Sequence, residues 1–183
     1  MSLGASRAAS TRQYQALSTT NITSTGSQSY TVPEGTVFLE IEMYGGGGGG
    51  GGGYLVSGRG GNTHKKGGGG GGGAYVKHKL FIAQLVTGAV VNFTVGAGGA
   101  GGAALNNGAD GGNTTLNTIV APVGGSSTSL SGPSAGGGGK GLKGNNTASG
   151  GELAGVAANG NITNTNGSEG GANSGLSSSG TAL

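Results

Sequence analysis

The chain has 183 residues, of which 49 are glycine, three are proline and none is cysteine, and its formal net charge is +3. The glycines follow no strict Gly-X-Y period, which excludes a collagen triple helix, and without cysteine there is neither a disulfide framework nor a thiolate metal site. Leu, Ile, Val and Phe make up only 32 of the 183 residues, yet charged residues are just 8%, so the self-repulsion that keeps disordered chains open is missing and a small packed core is expected.

Residues 1–28 are rich in Ser, Thr, Ala and Gln with little periodicity, and read as an extended or weakly helical arm for attachment to a partner. The start MSLGASRAAS contains no apolar h-region, and no stretch approaches a membrane span, so neither a signal peptide nor membrane insertion is expected. From Tyr30 the character changes. A short strand ends in the Pro33-Glu34-Gly35 turn, after which Val37, Leu39, Ile41 and Met43 alternate with Phe38, Glu40, Glu42 and Tyr44, the pattern of a half-buried strand.

That strand runs into nine glycines, Gly45 to Gly53, and seven more follow at Gly67 to Gly73. Glycine loses the most backbone freedom on ordering and has no side chain to bury, so such a run is either a flexible linker or a rod packed against others of its kind. In the packed case each run forms a polyproline-II-like helix, here called polyglycine-II, and the nine-residue run would extend about 28 Å at ~3.1 Å per residue. Gly45, Gly49, Gly53, Gly67, Gly70 and Gly73 are the candidate packing glycines.

Ala74 to Ile82 predicts a second strand with Val76, His78, Leu80 and Ile82 on one face and Tyr75, Lys77, Lys79 and Phe81 on the other. Val90 to Val95 predicts a third, leading into Gly96-Ala-Gly-Gly-Ala-Gly-Gly102; Thr114 to Leu116 and Thr118 to Val123 supply two shorter pieces. The fold class expected is all-β, a small antiparallel β-sandwich with polyglycine segments packed as polyglycine-II-like helices. The expected organisation is an attachment arm over 1–28, a glycine-rich sandwich domain over 29–125 and a Gly/Asn/Ser-rich segment over 126–183. The last carries only lone apolar residues (Leu130, Leu142, Leu153, Val156, Leu176) and cannot make a core of its own.

The strings YTVPEGTVFLEIEMYGGGGGGGGG, GGGGGGGAYVKHKLFIAQLVTGAVVNFTVGAGGAGG and GADGGNTTLNTIVAPVGG together resemble the glycine-rich domain of bacteriophage tail-fibre and minor tail proteins. That family's pattern is a TVP-x-G strand, a polyglycine stretch, a strand with an aromatic near its start, a TVGAGG element and a GGN-[ST]-[ST] segment. All five occur in order over roughly residues 30–125. A looser similarity is to polyglycine-II distal tail-fibre adhesins, in which loops between glycine motifs touch the receptor. The resemblance implies a virion-associated structural or receptor-binding protein, with Tyr54 to Lys66 and Ala103 to Asp110 as the corresponding loops.

Arg59 to Lys79 holds Arg59, Lys65, Lys66, Lys77, Lys79 and both histidines, His64 and His78, with no acid among them. If the loop and strand face the same way, a positive patch follows that could meet phosphorylated or acidic surface glycans; the plainer reading is a solubilising rim. Tyr54 offers a flat face for a sugar ring, or simply anchors a strand start. The receptor-binding set expected is therefore Tyr54, Arg59, His64, Lys65 and Lys66.

Two histidines without neighbouring carboxylates argue against a metal site, and Gly139-Lys140-Gly141 lacks the Ser or Thr of a phosphate loop. No nucleophile, base and orienter group together, so neither an enzyme nor a cofactor is expected. The leading expectation is a virion tail-fibre or tail-tip component, homo-oligomeric with a trimer favoured. Its partners would be other tail proteins and a bacterial surface glycan or outer-membrane protein, with no nucleic acid. A self-assembling extracellular filament or decoration protein is the alternative, and ice binding a weaker third.

Overall fold

The computed structural model describes residues 18–34, 36–59, 61–81, 88–120, 128–129, 133–140, 142 and 153–170. Most of the expected N-terminal arm, Gly35, Ile82, Val123, Leu130 and Leu176 lie outside them. The fold is all-β, its strands pair antiparallel, and no helix occurs among the described residues.

The main organising feature is a hairpin of unusual length. Strand β2 (Phe38–Tyr44) pairs with β5 (Tyr75–Phe81), and β3 (Tyr54–Gly58) pairs with β4 (Gly61–Lys65). Between them the first glycine run lies against residues 66–74, with Gly45, Gly48 and Gly51 donating backbone hydrogen bonds to the carbonyls of Ala74, Gly71 and Gly68. One register therefore runs unbroken from Phe38 opposite Phe81, through the glycines, to Gly58 opposite Gly61. Both arms spend nine residues between their strands, which is what keeps the far strands in step.

The same construction recurs. Strand β6 (Val90–Val95) pairs with β7 (Thr114–Val120), the register shifting by one between Asn92 and Phe93. Beyond the shift the pairing continues through glycine-rich arms, Gly112 and Ala109 donating to Ala97 and Ala100, and closes in a turn where the Asn106 amide donates to the Ala103 carbonyl. A third pair joins β9 (Ser134–Ala135) to β10 (Ala157–Ala158), and Gly136 and Gly139 donate to Val156 and Leu153 in the same register.

Within the glycine arms the bonds recur at every third residue, whereas an antiparallel β-ladder bonds at every second. The first run occupies the centre. Its Gly46, Gly49 and Gly52 amides donate to Gly112, Ala109 and Asn106, its Gly47 and Gly50 carbonyls accept from Gly99 and Gly102, and its Gly46 carbonyl accepts from Gly138. None of these glycines has the positive φ that only glycine adopts readily, so the requirement is one of space. A Cβ on Gly45 or Gly48 would fall on the carbonyl of Gly136 or Gly139, and one on Gly46, Gly49 or Gly52 on that of Ala97, Ala100 or Ala103. Gly47 and Gly50 face the other way, the nearest atoms being carbonyl oxygens at 3.8 and 3.5 Å.

The strands carry the apolar core. One sheet has the order β1-β6-β7-β9-β10, where β1 is Gly26–Thr31 and the short β8 (Thr128–Ser129) pairs with β7; the other has the order β11-β5-β2, where β11 is Thr163–Thr165. Met43, Val76 and Leu80 from the second sheet join Val91, Leu116, Ile119 and Ala135 from the first in one buried cluster, closed by Val32, Ala74 and Ala89. Full burial of a valine or leucine is worth about 1.5–3 kcal/mol, and Leu80, Val32, Val76 and Val91 are the largest such side chains.

Several expectations need correction. Val37, expected on the inner face with Leu39, Ile41 and Met43, precedes β2 and is 57% exposed. The two short pieces after Asn113 are one strand, β7. The first strand begins at Gly26, inside the expected arm, and the stretch Tyr54 to Lys66, expected as a loop, is largely a two-stranded hairpin. The boundary expected after residue 125 is crossed repeatedly: β9 pairs with β7, β11 pairs with β5, and Gly139 accepts from Gly71. The C-terminal residues need no core of their own because they extend existing sheets and glycine arms.

His78 lies on the inward face predicted for it. Its Nδ1 is buried with no hydrogen-bond partner among the described residues, and burial lowers its pKa against an opposing hydrogen bond to the Asn159 backbone.

Two predictions follow from this packing. Gly49→Ala should destabilise the protein by about 1–3 kcal/mol, as overpacking does, whereas Gly50→Ala should be neutral or slightly stabilising; chemical denaturation of both variants checks the phase, and equal losses would refute it. For His78 the folded pKa lies below the unfolded value, so its contribution is complete above about pH 6.5 and is lost as the pH falls through the folded pKa. The melting temperature should therefore fall on acidification through that window, His78→Gln should remove the fall, and the exposed His64→Gln should leave it in place.

Candidate functional site

The β3–β4 hairpin is carried at the far end of the long hairpin from β2 and β5, because both glycine runs insert between the two strand pairs in one register. A two-stranded hairpin alone is marginal in water; here its register is imposed by the glycine arms beneath it. Tyr54 stands opposite Lys65 and Leu55 opposite His64. Arg59 occupies the turn and is exposed, as are His64 and Lys66, while Tyr54 is half-buried.

Lys65 departs from the expected set in exposure, at only 9%. Its carbonyl lies 2.6 Å from where a Cβ on Gly53 would be, so the strand and the glycine run approach closely at this junction. Two apolar side chains that sequence reasoning passed over, Leu55 and Val56, are 48% and 41% exposed beside these polar groups. Tyr54, Arg59, His64, Lys65 and Lys66 thus belong to one hairpin and its exit, and no acid lies between Tyr54 and Lys66.

The wider basic patch does not extend onto the neighbouring strand. Lys77 and Lys79 stand on β5 opposite β2, where the Lys77 ammonium lies 2.7 Å from Glu40 and 3.1 Å from Glu42. The hydrogen bonds it donates to Glu40 first, then to Glu42, hold that ammonium above its ordinary pKa range. The Lys79 ammonium sits 3.8 Å from the centre of the Phe38 ring, a cation–π contact. Beside them Tyr44 and Tyr75 have ring centroids 4.9 Å apart, and the Tyr75 hydroxyl pKa is raised by burial and then by Glu42. This outer face uses its cations within itself.

A second concavity was not foreseen. A groove of about 710 Å³ runs along β2, lined beneath by Tyr30, Val91, Phe93 and Leu116 of the larger sheet and bordered by Ser18 to Thr23. It exists because β2 is the last strand of its sheet, while β1 and β6 of the facing sheet continue past it.

The six expected packing glycines all lie where a Cβ would meet backbone: Gly45 against Gly136, Gly49 against Ala100, Gly53 against Lys65, Gly67 against Gly51, Gly70 against Gly48 and Gly73 against Gly45. A further signal was available in the sequence. Ala97, Ala100 and Ala103 recur at every third residue, and all three are exposed, in contrast to the Gly96, Gly99 and Gly102 phase, where a Cβ would fall on backbone. Among the described residues no three of His, Cys, Asp and Glu gather as a metal site would require.

No curated protein matches the chain. A family model described as a glycine-rich domain matches residues 22–182, a span that takes in all three strand-plus-glycine hairpins; the chain belongs to that glycine-rich domain family.

Proposed function

We propose that this protein is a non-enzymatic structural component of a virion, a phage tail-fibre or tail-tip part that presents the β3–β4 hairpin to the bacterial surface. In this reading the two sheets form a small β-sandwich, and the glycine arms pack beside it as polyglycine-II-like helices. The observation that carries the proposal is the three-residue repeat of backbone hydrogen bonds around Gly45 to Gly53, since a helix of three residues per turn returns the same face at that interval. The rods stiffen the connection between the sandwich and the hairpin, which a flexible glycine linker would not do. The sequence resemblance over residues 30–125 supports the virion setting.

On the hairpin, Arg59 and Lys66 offer charge to phosphorylated or acidic glycans, and Leu55 and Val56 offer apolar contact. Lateral hydrogen bonds between glycine segments are made within one chain. A homotrimer would therefore join through other surfaces.

Electron microscopy of the isolated protein tests the assembly: finite three-fold particles are expected, and long uniform filaments would make this a structural polymer. Co-sedimentation with lipopolysaccharide vesicles tests the hairpin. Basic residues near an anionic surface contribute about 1 kcal/mol each, so Arg59→Glu with Lys66→Glu should weaken binding by roughly tenfold or more at unchanged thermal stability. Unchanged binding would remove the hairpin from the receptor contact.

A further inference from the structure

The outer edge of β2 has the properties of a docking site for an extended strand. The Gly45 amide donates to Ala74 in the β2–β5 register, so Leu39, Ile41 and Met43 direct their backbone groups to β5. The alternation of an antiparallel ladder then turns those of Phe38, Glu40, Glu42 and Tyr44 to the opposite edge. The Tyr44 carbonyl shows this direction, since it accepts a 2.6 Å hydrogen bond from the Thr114 hydroxyl across the sheets. Along the remainder of that edge no backbone partner is present among the described residues, although Ser18 to Thr23 border the same groove.

Two further observations identify what would fit. The groove floor beside this edge is apolar, formed by Tyr30, Val91, Phe93 and Leu116, so alternate side chains of an added strand would point into it. On the outer face the same strand would run directly beside Glu40 and Glu42, whose carboxylates meet Lys77 and stand opposite Lys79 and Lys77 on their other side. The two carboxylates also argue against a second copy: antiparallel self-pairing of β2 about its centre would set the carboxylates of one chain against those of the other, and like charges directly opposite are destabilising.

We propose that the β2 edge binds, by strand addition, an extended segment of a partner protein whose residues alternate between apolar and basic, the apolar ones entering the groove and the basic ones meeting Glu40 and Glu42. Backbone bonds to the edge supply affinity and the alternating side chains supply specificity. Unpaired edges are ordinarily blunted by charge; here the charge selects the partner. This surface is distinct from the β3–β4 hairpin, and the proposal does not depend on what the hairpin binds.

The test uses the full chain and a labelled seven-residue peptide alternating lysine and valine, read by fluorescence anisotropy and amide exchange. Saturable binding is expected, with slowed exchange at Glu40 and Glu42 and little change at Leu39 and Ile41. A peptide with glutamate in place of lysine should bind roughly tenfold more weakly or worse, given about 0.2–1 kcal/mol per cross-strand charge pair and a similar cost for like charges. A proline at the peptide's centre should also weaken binding, because it removes an edge hydrogen bond. Glu40→Gln with Glu42→Gln should reduce the preference for the lysine peptide while leaving the fold intact.

Several results would overturn the proposal. Absence of binding, equal affinity for both peptides, or unchanged exchange at Glu40 and Glu42 would each do so. Protection of those amides in dilute protein without peptide would show that the chain fills its own edge, and protection rising with protein concentration would show pairing between copies. Slowed exchange at the same amides with a chitooligosaccharide, but not with the peptide, would assign the groove to sugar.

Discussion

Everything in this structure depends on backbone approaching backbone without side chains between. The carbonyl oxygens of one glycine arm occupy the places where the Cβ atoms of the next would stand, as Ala100 does for Gly49 and Gly48 does for Gly70. Hydrogen bonds between neighbouring arms, near 2.8 Å, then become possible on several sides of one segment. A β-strand can bond its neighbours only along two edges, so it builds a sheet. The first glycine run, bonded at every third residue to arms from three hairpins, becomes the centre of a bundle. Ordering so many glycines is entropically expensive, and this dense bonding is what offsets the cost in a chain with few large apolar residues.

The strands solve a problem that the glycines cannot. Glycine arms carry no apolar surface, so nothing in them fixes which arm meets which or at what register. The paired strands do so, through the alternation of Leu39, Ile41 and Met43 against Val76 and Leu80, and each glycine pair inherits its register from the strands it continues. In the long hairpin this inheritance runs onward into β3 and β4, so a small core at one end orders a hairpin at the other. The one-residue shift between Asn92 and Phe93 plays a corresponding part in the second hairpin, setting the alignment that continues to the Ala103–Asn106 turn.

Charge is distributed according to the same geometry. Lys77 and Lys79 lie within a sheet and are engaged there by Glu40, Glu42 and Phe38, whereas Arg59 and Lys66 are lifted away on the hairpin. A run of basic residues that looks continuous in sequence is thus divided into an internal set and an external set by the glycine run between them. The carboxylates that engage Lys77 also border the unpaired edge of β2, so the same ion pairs that brace the sheet place acidic side chains along its free side.

Much of the fold was legible in the chain itself. Alternation at Leu39 to Met43, at Val76 to Leu80 and at Val91 to Phe93 located three strands and their inward faces, including that of His78, because a period of two reports which face is buried. The glycine runs showed that segments with no side chains had to be accommodated, and the alanines at 97, 100 and 103 carried the three-residue phase. The sequence did not disclose that residues 133–140, 142 and 153–170 would join the same sheets and arms, because a backbone that bonds laterally through glycine leaves no hydrophobic period to read. Nor could it divide the basic residues or show the groove beside β2. Those depend on which arms lie side by side and where one sheet ends before the other, and these are set by contacts between distant segments, which only the tertiary structure decides.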